Sequence, residues 1–552
     1  MVETATEIEQ KVNDQEGESA TLFTRMDDDF RLWDLEATNV QDYDAITKSY
    51  TGAHDTDINI TSNDPRTFAN HVQSRLSAAE MQIIVRMAEE EGEDKRGDIA
   101  KLERLFHFAL EKADERLVGF LLPPLRDSLI WYGMIRGWMA GRILVYKDRK
   151  NVTFDFLPLD RRWLTYEIGG NGYLWVANKM FKSKAQLLDE WSYEGAAEKG
   201  NNPVIDYWKF EKPGEIENSV IFKKGFLKKP QKHEIPSMPF IIIPVSTRPS
   251  VITDMGAKIA GYGDSIYAPN RHVYEVLNKL LSMWATHANI LAKQPTINYM
   301  DDQGVELKTT TFLAEAVVNL PKDHNKLEPS PLKEISPTLV NLVSYLSGMK
   351  ERGSTPNLEL GKPPASGTAL NLMQEWSNTV FNPQLWALSR FYGQTCRLVE
   401  EQLLYGKYKV KVETELSRKY YSVEITPVDL KRPHVTKVEF TAQTPWTQMD
   451  TYQIADMAKR LGLPDEFIWE YILKVTDPKG LADKTAIEIA EHSPTLSKLR
   501  AIRAMLKLGR REDAEELMRQ MFEEEQQMGM QQQMVGQPQL QTPQNPMEVT
   551  SA

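Results

Sequence analysis

Nine histidines, one cysteine and two short carboxylate runs are the groups from which this chain could build chemistry. The histidines stand at 54, 71, 107, 233, 272, 287, 324, 434 and 492, and none pairs with another at the spacing that chelates a metal. His272 and His287 share one expected helix but lie fifteen residues apart, so they read as packing or interface residues. Cys396 is alone, which excludes an internal disulfide framework and a thiolate cluster, and its apolar helical neighbours make it a buried thiol. Asp27-Asp28-Asp29 and Asp301-Asp302 could serve a two-metal nuclease only if carboxylates from several elements converged on them. In an acidic leader and a hairpin turn they read instead as solvated. Gly256-Ala-Lys-Ile-Ala-Gly261-Tyr-Gly263 has glycines but no Gly-Lys-Ser/Thr, so it is not a phosphate loop. Neither a His-Glu-x-x-His pair nor a Gly-x-Ser-x-Gly elbow occurs. No catalytic residue, metal site or cofactor is expected, and the chain reads as a structural part.

The 552 residues allow about three or four domains. With 41% hydrophobic and 26% charged residues the chain can build a sizeable core, which excludes wholesale disorder. No run of about 18 uninterrupted apolar residues occurs, and the N-terminus lacks a basic region followed by an apolar stretch. A cytosolic or particle-bound location without membrane contact is expected. Of the net charge of −12, residues 1–60 carry −11, from fifteen Asp/Glu against four Lys/Arg, which leaves −1 for the other 492. The leader therefore reads as a solvated acidic arm, although Phe23, Phe30, Trp33, Tyr43 and Tyr50 would let part of it pack. The near-neutral remainder lacks the basic footprint of a tight nucleic-acid binder.

Helical spacing predicts helices over about 65–90, 98–118 and 125–139. From Gly141 the texture becomes strands and turns. Runs at 142–146, 152–157, 173–177, 204–210, 220–222 and 239–245 make an antiparallel unit, with a short helix at 183–191 capped by Ser183. One long helix follows over about 269–293, roughly 36 Å at 1.5 Å per residue, and Pro295 stops it. Its apolar stripe holds Val273, Val276, Leu277, Leu280, Trp284, Ala288 and Leu291. Thr296–Met300 and the residues after Asp301-Asp302 predict a hairpin, 316–321 a further strand, and 337–351 a second helix. Gly353, Pro356, Gly361, Pro363 and Pro364 forbid helix over 352–366. A third long helix starts at Thr368 and runs to about Tyr405, subject to Pro383, and strands follow at 408–413, 421–425 and 438–440. Short helices fill 448–526, and nine glutamines among residues 526–544 mark a disordered tail. Two long amphipathic helices cannot bury all their faces against each other, so the pattern asks for neighbouring copies, which a closed ring supplies.

The order of elements, Gly263-Asp-Ser265 before the long helix, Ser366-Gly-Thr-Ala-Leu-Asn-Leu-Met after the Pro/Gly loop, and the helical C-terminus resemble a tailed-bacteriophage portal protein over about 60–525. The resemblance implies an α+β ring subunit. After an acidic arm (1–60) it would place an α/β wing (61–265 and 367–445), a two-helix stem (266–293 and 337–351) and a small α/β clip (294–336). A tunnel loop (352–366), an all-helical crown (446–526) and a Gln/Met-rich tail (527–552) complete it. It further implies a homododecamer at one capsid vertex of the virion, assembled in the host cytoplasm, through which double-stranded DNA is packaged and ejected. The implied partners are sister copies, the terminase packaging motor, head–tail adaptor proteins, and the major capsid and scaffolding proteins. Under it Lys293, Lys350, Arg352 and Lys362 are candidate channel-facing cations, and Val273, Leu277, Leu280, Trp284 and Leu291 pack stems of adjacent subunits. The arm and the tail have no counterpart in that pattern. Two other readings stay open: a metal-dependent nucleic-acid-processing enzyme whose carboxylates converge in the fold, and a non-viral helical scaffold.

Overall fold

Apolar residues repeating at helical spacing, and β-branched runs broken by Gly, Asn and Lys, set a framework of rods around sheets. The computed structural model describes residues 3–36, 42–44, 49–51, 58–87, 96–148, 151–170, 172–246, 263–292, 296–300, 317–321, 326–329, 337–354, 381–416, 419–441 and 445–473, with 481, 485 and 519. The chain divides into two units, Met1–Tyr452 and Gln453–Ala552.

The first unit opens with helices α1 (Ala5–Glu18) and α2 (Ala20–Asp34), where a solvated arm was expected. Thr4 and Glu7 form a reciprocal cap on α1, and Ala5, Ile8 and Val12 are buried. A small ribbon, β1 (Asp42–Asp44) with β2 (Ser49–Thr51), comes next. Helix α3 (Asp64–Ser77) then ends earlier than the spacing predicts, because residues 80–87 form strand β3 (Glu80–Met87). Helix α4 (Arg96–Gly119) and helix α5 (Leu125–Ile135) follow, the latter also shorter than expected since strand β4 (Trp138–Asp148) begins at Trp138.

Strand β4 pairs with β5 (Asn151–Leu159) and with β11 (Phe240–Pro244) in a three-stranded antiparallel sheet. A five-stranded antiparallel sheet is inserted between them. It comprises β6 (Leu164–Gly169), β7 (Gly172–Lys182), β8 (Asn202–Lys212), β9 (Glu215–Phe222) and β10 (Gly225–His233), in the order β10-β9-β8-β7-β6. Helix α6 (Lys184–Trp191) crosses from β7 to β8, capped by Ser183 as the sequence indicates. Ala140 and Leu159 of the smaller sheet share a core with Val176, Trp208 and Ile216 of the larger one. A polar chain also links the two sheets. Arg142 bridges Asp155 and Asp206 at 3.1 Å each, Asn218 donates to Asp206 at 2.6 Å, and Lys228 donates to Asn218 at 2.8 Å.

Two long helices come next, α7 (Arg271–Ala292) and α8 (Pro337–Arg352), which pack on each other. Between them a small sheet has β12 (Thr296–Met300) at its centre, parallel to β13 (Val317–Pro321) and antiparallel to β14 (Lys326–Pro329). The second strand of the expected hairpin, after Asp301 and Asp302, lies outside the described residues. Helix α9 (Asn382–Tyr405) runs through the main core, with Leu388, Phe391, Tyr392, Cys396 and Val399 buried. Its Gln402 acts as a surrogate strand for β4, accepting from Val145 N (2.8 Å) and donating to Ile143 O (2.9 Å). Strands β15 (Val410–Leu416) and β16 (Lys419–Ile425) form a hairpin. After the short helix α10 (Pro427–Leu430), strand β17 (His434–Thr441) pairs with β3, closing the main core across more than three hundred residues of sequence.

Helix α11 (Pro445–Arg460) leads into the second unit. There Ala455, Ala458 and Ile468 are buried with Ile472 and Leu473 beside them, and a short π-helical turn covers Ile468–Ile472. The remaining helices expected to residue 526, the tail and the segment 355–380 lie outside the described residues. The described elements are of mixed α and β type, compatible with the α+β expectation.

Candidate assembly interface and the junction that carries it

The entry to α7 is built backbone on backbone. Gly137 and Gly263 both have positive φ, +73° and +67°, and a Cβ on Gly137 would lie 2.2 Å from Gly263 O. A Cβ on Gly263 would lie 2.2 Å from the Trp138 indole nitrogen, so both positions need glycine. Val245 N donates to Gly137 O (2.8 Å), Asp264 N to Val245 O (3.0 Å) and Ile266 N to Met134 O (2.9 Å). The Gly263-Asp264-Ser265 string is therefore a splice between α5, β4, β11 and the long helix.

The acidic leader supplies the charged part of the same junction. Asp29 is 1% exposed and takes both arms of Arg271, at 2.6 Å and 2.8 Å, at the first residue of α7. Burial works against the Arg271 charge, but the Asp29 carboxylate outweighs it and lifts the guanidinium above its ordinary pKa. Asp27 accepts from Arg162 at 2.8 Å and pairs with Arg136 at 3.3 Å, while Arg136 also reaches Asp160. Arg25 donates to Gly263 O at 2.8 Å. The reading of Asp27-Asp28-Asp29 as a solvated run is thus corrected at Asp27 and Asp29. Their partners lie 109 to 242 positions away in sequence, and nothing local marks the pairing.

Along α7 and α8 apolar side chains reach the surface. On α7 Val276 and Met283 are exposed, the latter 51%, and Val273, Leu280, Trp284 and Leu291 are half-buried. Leu277, which was expected to pack between subunits, is buried within the single chain. No residue of α8 is buried, and Val340, Leu342, Tyr345 and Met349 are exposed, Tyr345 by 61%. The opposite stripe of α7 is polar and occupied. Asn278 and Ser282 are buried beneath residues 58–62.

The candidate cations separate. Lys350 donates to Asp64 Oδ2 at 2.7 Å, and its carbonyl accepts from Asn270 Nδ2 at 2.8 Å. It is a clasp between α8 and α3. Burial raises the Asp64 carboxyl, but the Lys350 ammonium and the Ser62 hydroxyl bring it below its ordinary value. Arg352 is exposed in the last turn of α8. Lys293, Lys362, Asp301 and Asp302 lie outside the described residues. Cys396 is buried as read from the sequence, and that burial pushes its thiol up to about 12, far from a reactive thiolate. His272 is exposed and His287 half-buried on α7.

Among the described residues no group of three or more His, Cys, Asp or Glu could hold a metal ion, and no helix is long and apolar enough to cross a membrane. One solvent-facing feature has no signal in helical spacing. The turn after α4 presents Phe120 and, in left-handed backbone, Leu121 at 95% exposure.

No protein-family model matches the chain, and no curated protein matches it. Among solved structures, the neck of an empty GTA particle, computed with C6 symmetry, is a weak neighbour. The similarity covers 73% of this chain and 90% of that one at 12% identity, with a TM-score of 0.37. At that score the likeness carries nothing further for this chain.

Proposed function

We propose that the chain is the subunit of a portal ring in a tailed-phage particle, with α7 and α8 forming the wall of a channel for double-stranded DNA. One observation carries this reading: the α7–α8 pair leaves an apolar face, with Met283 and Tyr345 at its surface, that the chain's other described residues do not cover. Sister copies placed head to tail would cover it, and a closed ring leaves no copy with a bare edge. The near-neutral charge outside the leader suits a wall past which DNA slides, because each neutralised phosphate adds affinity that would hold the duplex in place.

The same reading takes the sheet-rich body as the wing, the small β12–β14 sheet as the clip that would face a packaging motor and later the head–tail adaptors, and Arg352 as the described candidate facing the channel. The ring would sit at one capsid vertex among the major capsid and scaffolding proteins. It assigns the subunit no catalytic step. The rival enzyme reading loses part of its carboxylate set, since Asp27 and Asp29 are engaged by arginines.

Light scattering and negative-stain imaging of the purified full-length chain test the proposal. Rings of about twelve copies, or monomers that close into rings on concentrating, are expected. A species that stays monomeric at every concentration would overturn it.

A further inference from the structure

Residues 58–62 run extended along α7 in the opposite direction. Ile58 N–H donates to Thr286 Oγ1 (2.9 Å), Ile60 N–H to Ser282 Oγ (2.8 Å) and Ser62 N–H to Asn278 Oδ1 (3.0 Å). The fit follows from two pitches. Two residues of extended chain advance ~6.6 Å and four residues of helix ~6 Å, so every second amide meets every fourth side chain. At its end the Ser62 hydroxyl donates to Asp64 Oδ2 (2.7 Å), and the same carboxylate oxygen takes the Lys350 ammonium. Residues 58–64 thus stitch α7 to α8.

The members of the stitch differ in burial: the Ile58–Thr286 bond at one end is exposed, the middle is closed, and the Asp64–Lys350 pair lies at the other end. The acceptors Asn278 and Ser282 are buried, where an amide left without a partner is costly. Asp64 is 42% exposed and Lys350 22%, so their attraction is screened by water and salt. A ladder whose members share one backbone opens most easily from its weakest member.

We propose that residues 58–64 are a latch on the α7–α8 pair, fastened by Lys350 and Asp64 and released as one unit when that pair is broken. In the closed state α7 and α8 are held in one mutual position. Release uncovers the polar stripe of α7 and leaves the two helices held by their side-chain packing. The inference stands on these bonds and does not depend on the ring.

Amide hydrogen exchange on the full-length chain, resolved residue by residue, tests it. Lys350→Met keeps the aliphatic stem and removes the charge. It is expected to speed exchange at Ile58, Ile60 and Ser62 together by about fivefold or more, while amides shared by β7 and β8 keep their rates. Ser282→Ala is expected to raise all three as well, and raised salt should do the same to the unaltered protein. Unchanged rates at Ile58 and Ile60 in Lys350→Met would overturn the latch. So would acceleration spread evenly over the whole chain.

Discussion

In the sheet-rich body, α9 sends Leu388, Phe391, Tyr392 and Val399 into a core walled by β3, β4, β5, β11 and β17. Its polar Gln402 is spent on completing β4. In the α7–α8 pair the apolar residues are of the same kinds, yet α8 buries none and α7 leaves Val276 and Met283 outside. Both regions are helical rods with apolar stripes. They differ in where the covering surface comes from: in the body it is supplied by strands far away in the same chain, and along α7 and α8 the described chain supplies it on one side only. A stripe is a demand for a partner and does not say which molecule provides it.

The contrast can be broken most forcefully from the closed side. Phe391→Ala, at a fully buried position against β4, should cost about 3–5 kcal/mol in the unfolding free energy of the monomer, read by denaturant titration. Asp29→Ala tests the seam between the two regions. It leaves Arg271 largely buried without its carboxylate, and should cost about 3 kcal/mol in the same titration. If Asp29→Ala were neutral, the leader would be an ornament on the body and not part of its junction with α7.

A smaller effect should appear as a pH slope. Burial first, then the neighbouring Lys228 and Arg142 charges, hold the His233 imidazole below its ordinary value of 6.5. Between the folded and unfolded values the unfolded chain binds more protons, so this contribution is complete above 6.5 and is lost as the pH falls below it. His233→Gln should therefore flatten part of the loss of stability between about pH 7 and 5, measured by thermal unfolding at several pH values. An unchanged slope would mean that the histidine is not held neutral beside the ladder linking the sheets.

The smallest effect on folding belongs to the open side. Tyr345→Asp should shift monomer stability by no more than about 0.5 kcal/mol, because the ring is already in water. Yet it should abolish assembly, read by light scattering, because it puts a charge into the surface proposed to be covered by a sister copy. Loss of monomer stability as large as that of Phe391→Ala would show that the face is closed within the chain.

What could be read from the sequence follows the reach of each interaction. Local signals held: the Ser183 cap, the span of α7, the arrest of α8 near Gly353 and the buried Cys396 all rest on residues within a turn or two of each other. Signals that depend on distant partners did not. Met81, Ile84 and Met87 repeat at near-helical spacing, so 80–87 reads as a continuation of α3. The β-branched run Ile83-Ile84-Val85 becomes a strand because β17 lies beside it. Strand β10 was missed because it is an edge bearing Lys228, Lys229, Pro230 and Lys232, residues that guard an edge and hide its alternation. The charge of the leader was plain, but its arginines are 109 to 242 positions away. For the same reason the pairing of Lys350 with Asp64, 286 positions away, is not legible in the sequence.

The close approach of Gly137 and Gly263 has a mechanical corollary. Where peptide planes abut with no side chain between them, a load cannot be absorbed by turning a rotamer. A force at the foot of α7 would have to shift whole peptide units, and these are bonded in sequence to Val245, Met134 and the first residues of β4. Along the axis of α7 the joint therefore meets a load with backbone against backbone.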